Sequence, residues 1–172
     1  MTASDAKPFG RVAKFFHWSF PVLFGFGIFK ALDNVGQLAD QALLHFEMGF
    51  AMFFLAFLVA RFAFMRRTQS TSLPDGTPRH IKISANAVHL AMYTSLAAIA
   101  ISGIAIGGLY EHGFASGAAM TAAIALHEFS IAASYILIGL HIAAALYHRI
   151  KRDGIWNAMV PVFQEKATSP TE

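Results

Sequence analysis

The sequence predicts an all-α fold, an integral membrane four-helix bundle with both termini cytoplasmic. Three observations predict it. First, the chain of 172 residues is 56% hydrophobic and only 13% charged, about half the charged share usual for a soluble domain; its mean hydropathy is +0.51. A soluble protein of this size has too little interior to hide so much apolar surface. Second, the apolar residues gather in four runs, at about 15–32, 42–64, 87–110 and 121–147. Each is near or above the roughly 20 residues that cross a bilayer as a helix, the form in which a chain satisfies its own backbone in lipid. Third, twelve of the thirteen Lys and Arg residues fall on one side of those four spans, the asymmetry that marks a cytoplasmic face.

The elements follow in order. The first run lacks a small-residue cleavage site and three more spans come after it, so it reads as a span and not as a signal peptide. Lys7, Arg11 and Lys14 precede it, and Pro21 is expected to bend it a turn after His17. Lys30 is the single cation on the outer side. The second run leads into the turn-rich segment "TQSTSLPDGTPR", Thr68 to Arg79, expected to be the cytoplasmic loop between two hairpins. Arg61, Arg66, Arg67, Arg79 and Lys82 are counted with that loop. The third and fourth runs are joined outside by Glu111 to Met120, which has no Lys or Arg, and Arg149, Lys151, Arg152 and Lys166 follow the fourth. Residues 1–163 read as one transmembrane domain, and 164–172, "QEKATSPTE" from Gln164, as a disordered tail. The net charge of +3 is explained by topology, and nucleic acid is not an expected partner. Trp18, Tyr110, Tyr147 and Trp156 are expected as interfacial anchors.

There is no cysteine. That excludes disulfides, thiolate metal sites, iron–sulfur clusters and covalently attached haem. The chemistry-bearing residues are histidines set in oil-like surroundings, above all in "AIALHEFSIAASYILIGLHIAAALYHRIKR", residues Ala123 to Arg152. An ionisable group inside a span is costly and points to function, although a lone histidine is more often a structural hydrogen-bonder. Pairing makes the case here. Under the expected topology, His17 in span one lies near the cytoplasmic surface and His45 in span two near the outer surface. His127 lies toward the outside in span four, with His141 deeper toward the cytoplasm. Depth therefore matches His45 with His127 and His17 with His141. His127 and His141 are 14 residues apart, about 21 Å along a helix, and roughly 40° apart around it. That is too far for one metal ion and suits two stacked planar cofactors. Bis-histidine b-type haem fits each layer, since it needs neutral imidazole and no cysteine. Gly49, one turn after His45, and Gly139, Ala143, Ala144 and Ala145 around His141 are small enough for a porphyrin to approach, or simply for helices to pack. Spacing does not choose between His141 and His148, one heptad further on. His148 abuts Arg149 and reads as a wet interfacial residue, and depth would also allow it to pair with the shallow His17.

At these residues the chain resembles the bacterial cytochrome b561 family of four-helix dihaem membrane cytochromes. The matching features are His17-Trp18 opening span one, His45 with Gly49 opening span two, and His127-Glu128 with Gly139-Leu140-His141 in span four. The resemblance covers about Arg11 to His148. It implies that His17 and His141 bind one haem b through its iron and that His45 and His127 bind the other. It also implies electron transfer with ubiquinone in the inner membrane. Some members of the family pass electrons from periplasmic superoxide to ubiquinone; others are described as electron carriers. Glu47 lies outside the matching pattern, with proton handling or simple reach to the outer interface as its two readings.

The remaining histidines have plainer expectations. His89, near the cytoplasmic start of span three, has no depth-matched partner; its roles are a hydrogen bond to a haem propionate or quinone, or packing. His112 beside Glu111 is a proton relay or plain surface, and His80 a solvated loop residue. Arg79, Lys82, Arg149 and Arg152 are candidates for pairing with propionates of the inner haem. The expected function is a dihaem b-type cytochrome exchanging electrons with quinone, a superoxide:ubiquinone oxidoreductase being its enzymatic form. The alternative is a membrane anchor or electron-relay subunit of a partner redox protein, with or without haem.

Overall fold

A computed structural model describes residues 8–30, 32, 34–68, 73 and 77–164. The expected tail beyond Gln164, and most of the loop between Thr68 and Thr77, lie outside the described residues. The described chain is helical: α1 (Arg11–Phe29), a 3-10 turn (Val35–Ala39), α2 (Gln41–Arg67), α3 (Arg79–Glu111), α4 (Ala118–Lys151) and the short α5 (Ile155–Met159). Four of these, α1 to α4, are long and apolar enough to cross a membrane.

The helices do not stop where the apolar runs stop. The 33 residues of α3 span about 50 Å at 1.5 Å each, well beyond the roughly 30 Å of a hydrocarbon core. Its first turns, Arg79 to Asn86, are polar and continue the helix out of the apolar zone. This corrects the expectation for His80, which lies in the first turn of α3 rather than in a loop. α1 is displaced the other way, starting at Arg11 and ending at Phe29 before Lys30. α2 starts cleanly because the Asp40 carboxylate accepts from the backbone N–H of Ala42 at 2.9 Å and of Leu43 at 3.3 Å, filling two of the donors a helix start leaves open. Its last turn carries Arg66 and Arg67, favourably placed at the negative end of the helix dipole. Gly117 turns the outer loop into α4 with φ 97°, backbone that a side chain would strain.

Packing runs in chain order. α2 packs along α3 and α3 along α4, while α1 meets α2 over a shorter stretch and makes no comparably close backbone approach to α4. The main buried cluster is Phe20 from α1, Phe54 and Leu58 from α2, and Leu96 and Ala100 from α3. The α3–α4 seam is built from small polar residues: Ser95, Ser102, Ser130 and Ser134 are all buried, and Ser134 donates to the Ser95 hydroxyl at 3.0 Å. Small side chains let helix backbones come close, and hydroxyls bond across them in lipid. Large apolar residues point outward instead: Val22 is 71% exposed, Phe129 71% and Ile136 65%. Without a hydrocarbon solvent that pattern would be a severe liability; in a bilayer it is the lipid-facing surface.

The two ends of the chain meet. Phe9 N–H donates to the Ala158 carbonyl at 3.2 Å, and the Trp18 indole donates to the Met159 carbonyl at 3.3 Å. The segment around α5 therefore caps the same end of the bundle at which α1 starts, as four crossings require. Trp18, expected as an interfacial anchor, is thus tied to protein backbone. Arg149 stacks over Trp156, 4.9 Å from its ring centre, which secures this cap to the end of α4.

Candidate haem sites

Each long helix contributes to a cluster near the end where α1 begins. His17 from α1 and His141 from α4 have ring centres 5.9 Å apart. Two imidazoles on opposite sides of one metal ion, each nitrogen about 2 Å from it, place their ring centres roughly 6 Å apart; the pair therefore fits one iron. His89 from α3 reaches the same group, its ring centre 5.3 Å from that of His141. Arg61 from α2 completes it, with Nη2 3.3 Å from His17 Nδ1 and its guanidinium over the rings of Phe20 and Tyr93. The structure thus brings His17 and His141 together.

Toward the other end of the bundle lies a cavity of about 430 Å³ lined by residues of all four long helices, among them His127, Glu128, Glu47, Met48 and Gly103. The His127 ring is fixed by its neighbours. Its Nδ1 lies 3.0 Å from the Ile99 carbonyl and 2.9 Å from Ser102 Oγ. Ser102 donates its one proton to the Ala98 carbonyl at 2.5 Å, so toward His127 its oxygen accepts. A carbonyl and a hydroxyl oxygen both accepting at Nδ1 put the proton there and leave the lone pair on Nε2. A metal-binding histidine is commonly held in this way, its far ring nitrogen donating to an oxygen that fixes the ring. Gly103 packs beside the ring: a Cβ there would stand 3.5 Å from His127 Cε1, an ordinary van der Waals contact.

His45 is placed differently. Its side chain is 64% exposed and its Nε2 lies 3.9 Å from Glu111 Oε1, at the end of the bundle where α3 closes and away from His127. The two rings are not brought together: His45 meets Glu111 at the end of α3, whereas His127 meets Ile99 and Ser102 further along that helix. Glu47 faces the cavity, with one carboxyl oxygen buried and without a hydrogen-bond partner. His112 closes α3, its Nδ1 bonded back to the Gly108 carbonyl at 2.8 Å. His148 is not a plain wet residue: its Nδ1 donates to Asp153 Oδ2 at 2.6 Å, and Asp153 also accepts from the Ile155 N–H at the start of α5. This carboxylate bond ties the end of α4 to the capping segment. Among the described residues, no group of three or more His, Cys, Asp or Glu side chains is arranged to hold a bare metal ion.

Sequence reasoning missed Arg61, Tyr93 and Ser102. Arg61 had a signal, since it falls inside the apolar run 42–64 and a charge at that place calls for a partner. Ser102 had none, one small residue among many on α3.

Four apolar crossings around histidines such as the His17–His141 pair, with no thiolate, point to a multi-pass membrane cytochrome of the b type, an electron-transfer protein. The chain belongs to the prokaryotic cytochrome b561 family, whose model matches residues 8–162. No curated protein and no solved structure matches the chain.

Proposed function

We propose that this bacterial membrane cytochrome holds two b haems, one between His17 and His141 and one between His45 and His127. It passes electrons across the inner membrane in exchange with ubiquinone. Bound haem supplies reversible one-electron chemistry at iron. The observation that carries the reading is the fixed tautomer of His127, whose Nδ1 proton is held by Ile99 and Ser102. The 5.9 Å spacing of His17 and His141 supports the inner site. The outer site requires His45, on the first turn of α2, to turn from Glu111 toward the cavity that His127 lines; the volume of that cavity supports room for a group there.

The chain's residues divide the remaining work. Ile99 and Ser102 hold the His127 ring, and Glu47 places an acidic oxygen inside the outer cavity, where a proton is needed if quinone is reduced there. The outer loop is thin, with residues 112–119 all exposed, which supports access by a small diffusible donor from the outside. Superoxide is the donor proposed, with ubiquinone as acceptor, both termini being cytoplasmic. The test is a superoxide pulse on the purified oxidised protein, followed by ubiquinone, with the haem bands recorded throughout. Reduction by superoxide and reoxidation by ubiquinone are expected. Reduction by quinol alone contradicts the oxidase activity and leaves a quinol-linked carrier; no reaction with either points to a protein partner as donor.

A further inference from the structure

Arg61 places a guanidinium well inside α2, where an unneutralised charge is expensive. Among the described residues no carboxylate is paired with it, the ion pairs there being His45 with Glu111 and His148 with Asp153. Its Nε is buried without a hydrogen-bond partner. Phe20 and Tyr93 enclose it, their ring centres 5.1 Å and 5.6 Å from its central carbon, and the Tyr93 phenol is a neutral polar group in reach. The remaining contact is Nη2 to His17 Nδ1 at 3.3 Å.

That contact and iron ligation exclude each other. Guanidinium only donates, so His17 Nδ1 accepts and its ring proton sits on Nε2. If His17 binds iron through Nε2, Nδ1 carries the proton and meets a donor with a donor. If it binds through Nδ1, the lone pair that Arg61 uses is taken. Filling the site therefore releases the guanidinium from His17 while leaving it enclosed by Phe20 and Tyr93, with Nε and Nη2 both seeking an acceptor. Haem b brings two carboxylates of its own, and a planar fork of donors matches a carboxylate in two parallel hydrogen bonds.

We propose that Arg61 binds a propionate carboxylate of the haem held by His17 and His141, and so neutralises its own buried charge when that site is filled. The proposal rests on the ligand assignment above. It places the propionate contact on α2 inside the bundle, rather than on the exposed cations Arg79 and Arg152 at the ends of α3 and α4.

The test follows retention of the inner haem in the His127→Ala holoprotein, which isolates that haem, challenged with apomyoglobin as scavenger. Arg61→Leu is expected to release it about tenfold faster, with Arg61→Lys between, as for loss of a buried charge-assisted pair. The second arm fills the site with haem or with haem dimethyl ester, whose propionates carry no charge. With Arg61 present the ester is retained about tenfold less well; in the Arg61→Leu variant the two are retained alike. Equal retention of haem and ester with Arg61 in place overturns the proposal. So does discrimination that survives Arg61→Leu, which assigns the carboxylates to other cations. If Arg61→Leu does not accumulate, Arg61→Gln takes its place in the ester comparison. If His141→Ala keeps the inner haem, the ligand assignment has failed, and the ester comparison still reports on Arg61 by itself.

Discussion

The Nδ1 of His127 lies 3.0 Å from the carbonyl oxygen of Ile99, across the seam between α4 and α3. Because the Ser102 hydroxyl beside it is already spent on Ala98, both neighbours accept, and the ring has one tautomer open to it. A histidine free to choose its tautomer would lose part of its binding energy in choosing; this one is held ready with Nε2 available.

Removing one of the two acceptors tests that relationship. Ser102→Ala keeps the Ile99 contact and is expected to weaken retention of the outer haem about tenfold, the lower end of what orienting partners contribute. The inner haem should be retained as before. Dissociation of each haem, resolved by its absorption band, makes the measurement; equal loss of both would mean that the change acts on packing and not on the ring.

Ligand variants separate the two layers. His127→Ala is expected to remove the outer haem and largely spare the inner one, and His141→Ala the reverse. His148→Ala should leave both, because its ring is engaged with Asp153 at 2.6 Å and its role is to tie down the capping segment. Haem content and visible spectra of the three purified variants decide. Loss of the inner haem in His148→Ala, with retention in His141→Ala, would reassign the ligand.

The α3–α4 seam gives a stability prediction. Ser134 is 1% exposed and donates to Ser95, which is itself satisfied by the Met92 carbonyl at 3.1 Å. Ser134→Ala therefore strands no donor and should cost about 1 kcal/mol in reversible unfolding in detergent, the scale of a hydrogen bond between helices in lipid. Ser134→Leu adds volume where there is none and should cost about 2 kcal/mol or more. If the leucine variant is as stable as the alanine one, the seam is looser than described.

Much of this architecture is legible in the sequence, because lipid leaves few alternatives. Four apolar runs with one basic side yield four helices and their order, and 14-residue spacing yields two layers on one helix. The polar start of α3 is not legible from hydropathy, since Arg79 to Asn86 is helical by backbone bonding and not by apolar character. Depth allows His17 to pair with His141 or His148 and the family resemblance chooses His141; the structure brings His141 to His17 and adds His89 and Arg61 to the group, because depth counts residues along each helix separately and does not say which faces converge. The same limit applies to His45, which meets Glu111 at the end of α3 while His127 meets Ile99 and Ser102 further along it. Arg61 is hidden by its type: a basic residue near a cytoplasmic end reads as topology until its neighbours are seen to be Phe20, Tyr93 and His17.

Orientation has its own test. Phe9 and Trp18 bond to the segment around Ala158 and Met159, so both ends of the described chain lie on one side, and the distribution of basic residues leads us to expect that side in the cytoplasm. A reporter active only in the cytoplasm, fused after Glu172, should be active, and one active only in the periplasm silent. The opposite result would invert the bundle and exchange the inner and outer haem sites.

Haem stoichiometry tests the central claim most directly. The purified protein, produced with haem in excess, is assayed by pyridine haemochrome against protein mass from amino-acid analysis. Two b haems per chain are expected, one for the His17–His141 pair and one for the cavity that His127 lines. One haem per chain would confine the cofactor to a single layer and contradict transfer between two, and no haem at all would contradict the cytochrome itself.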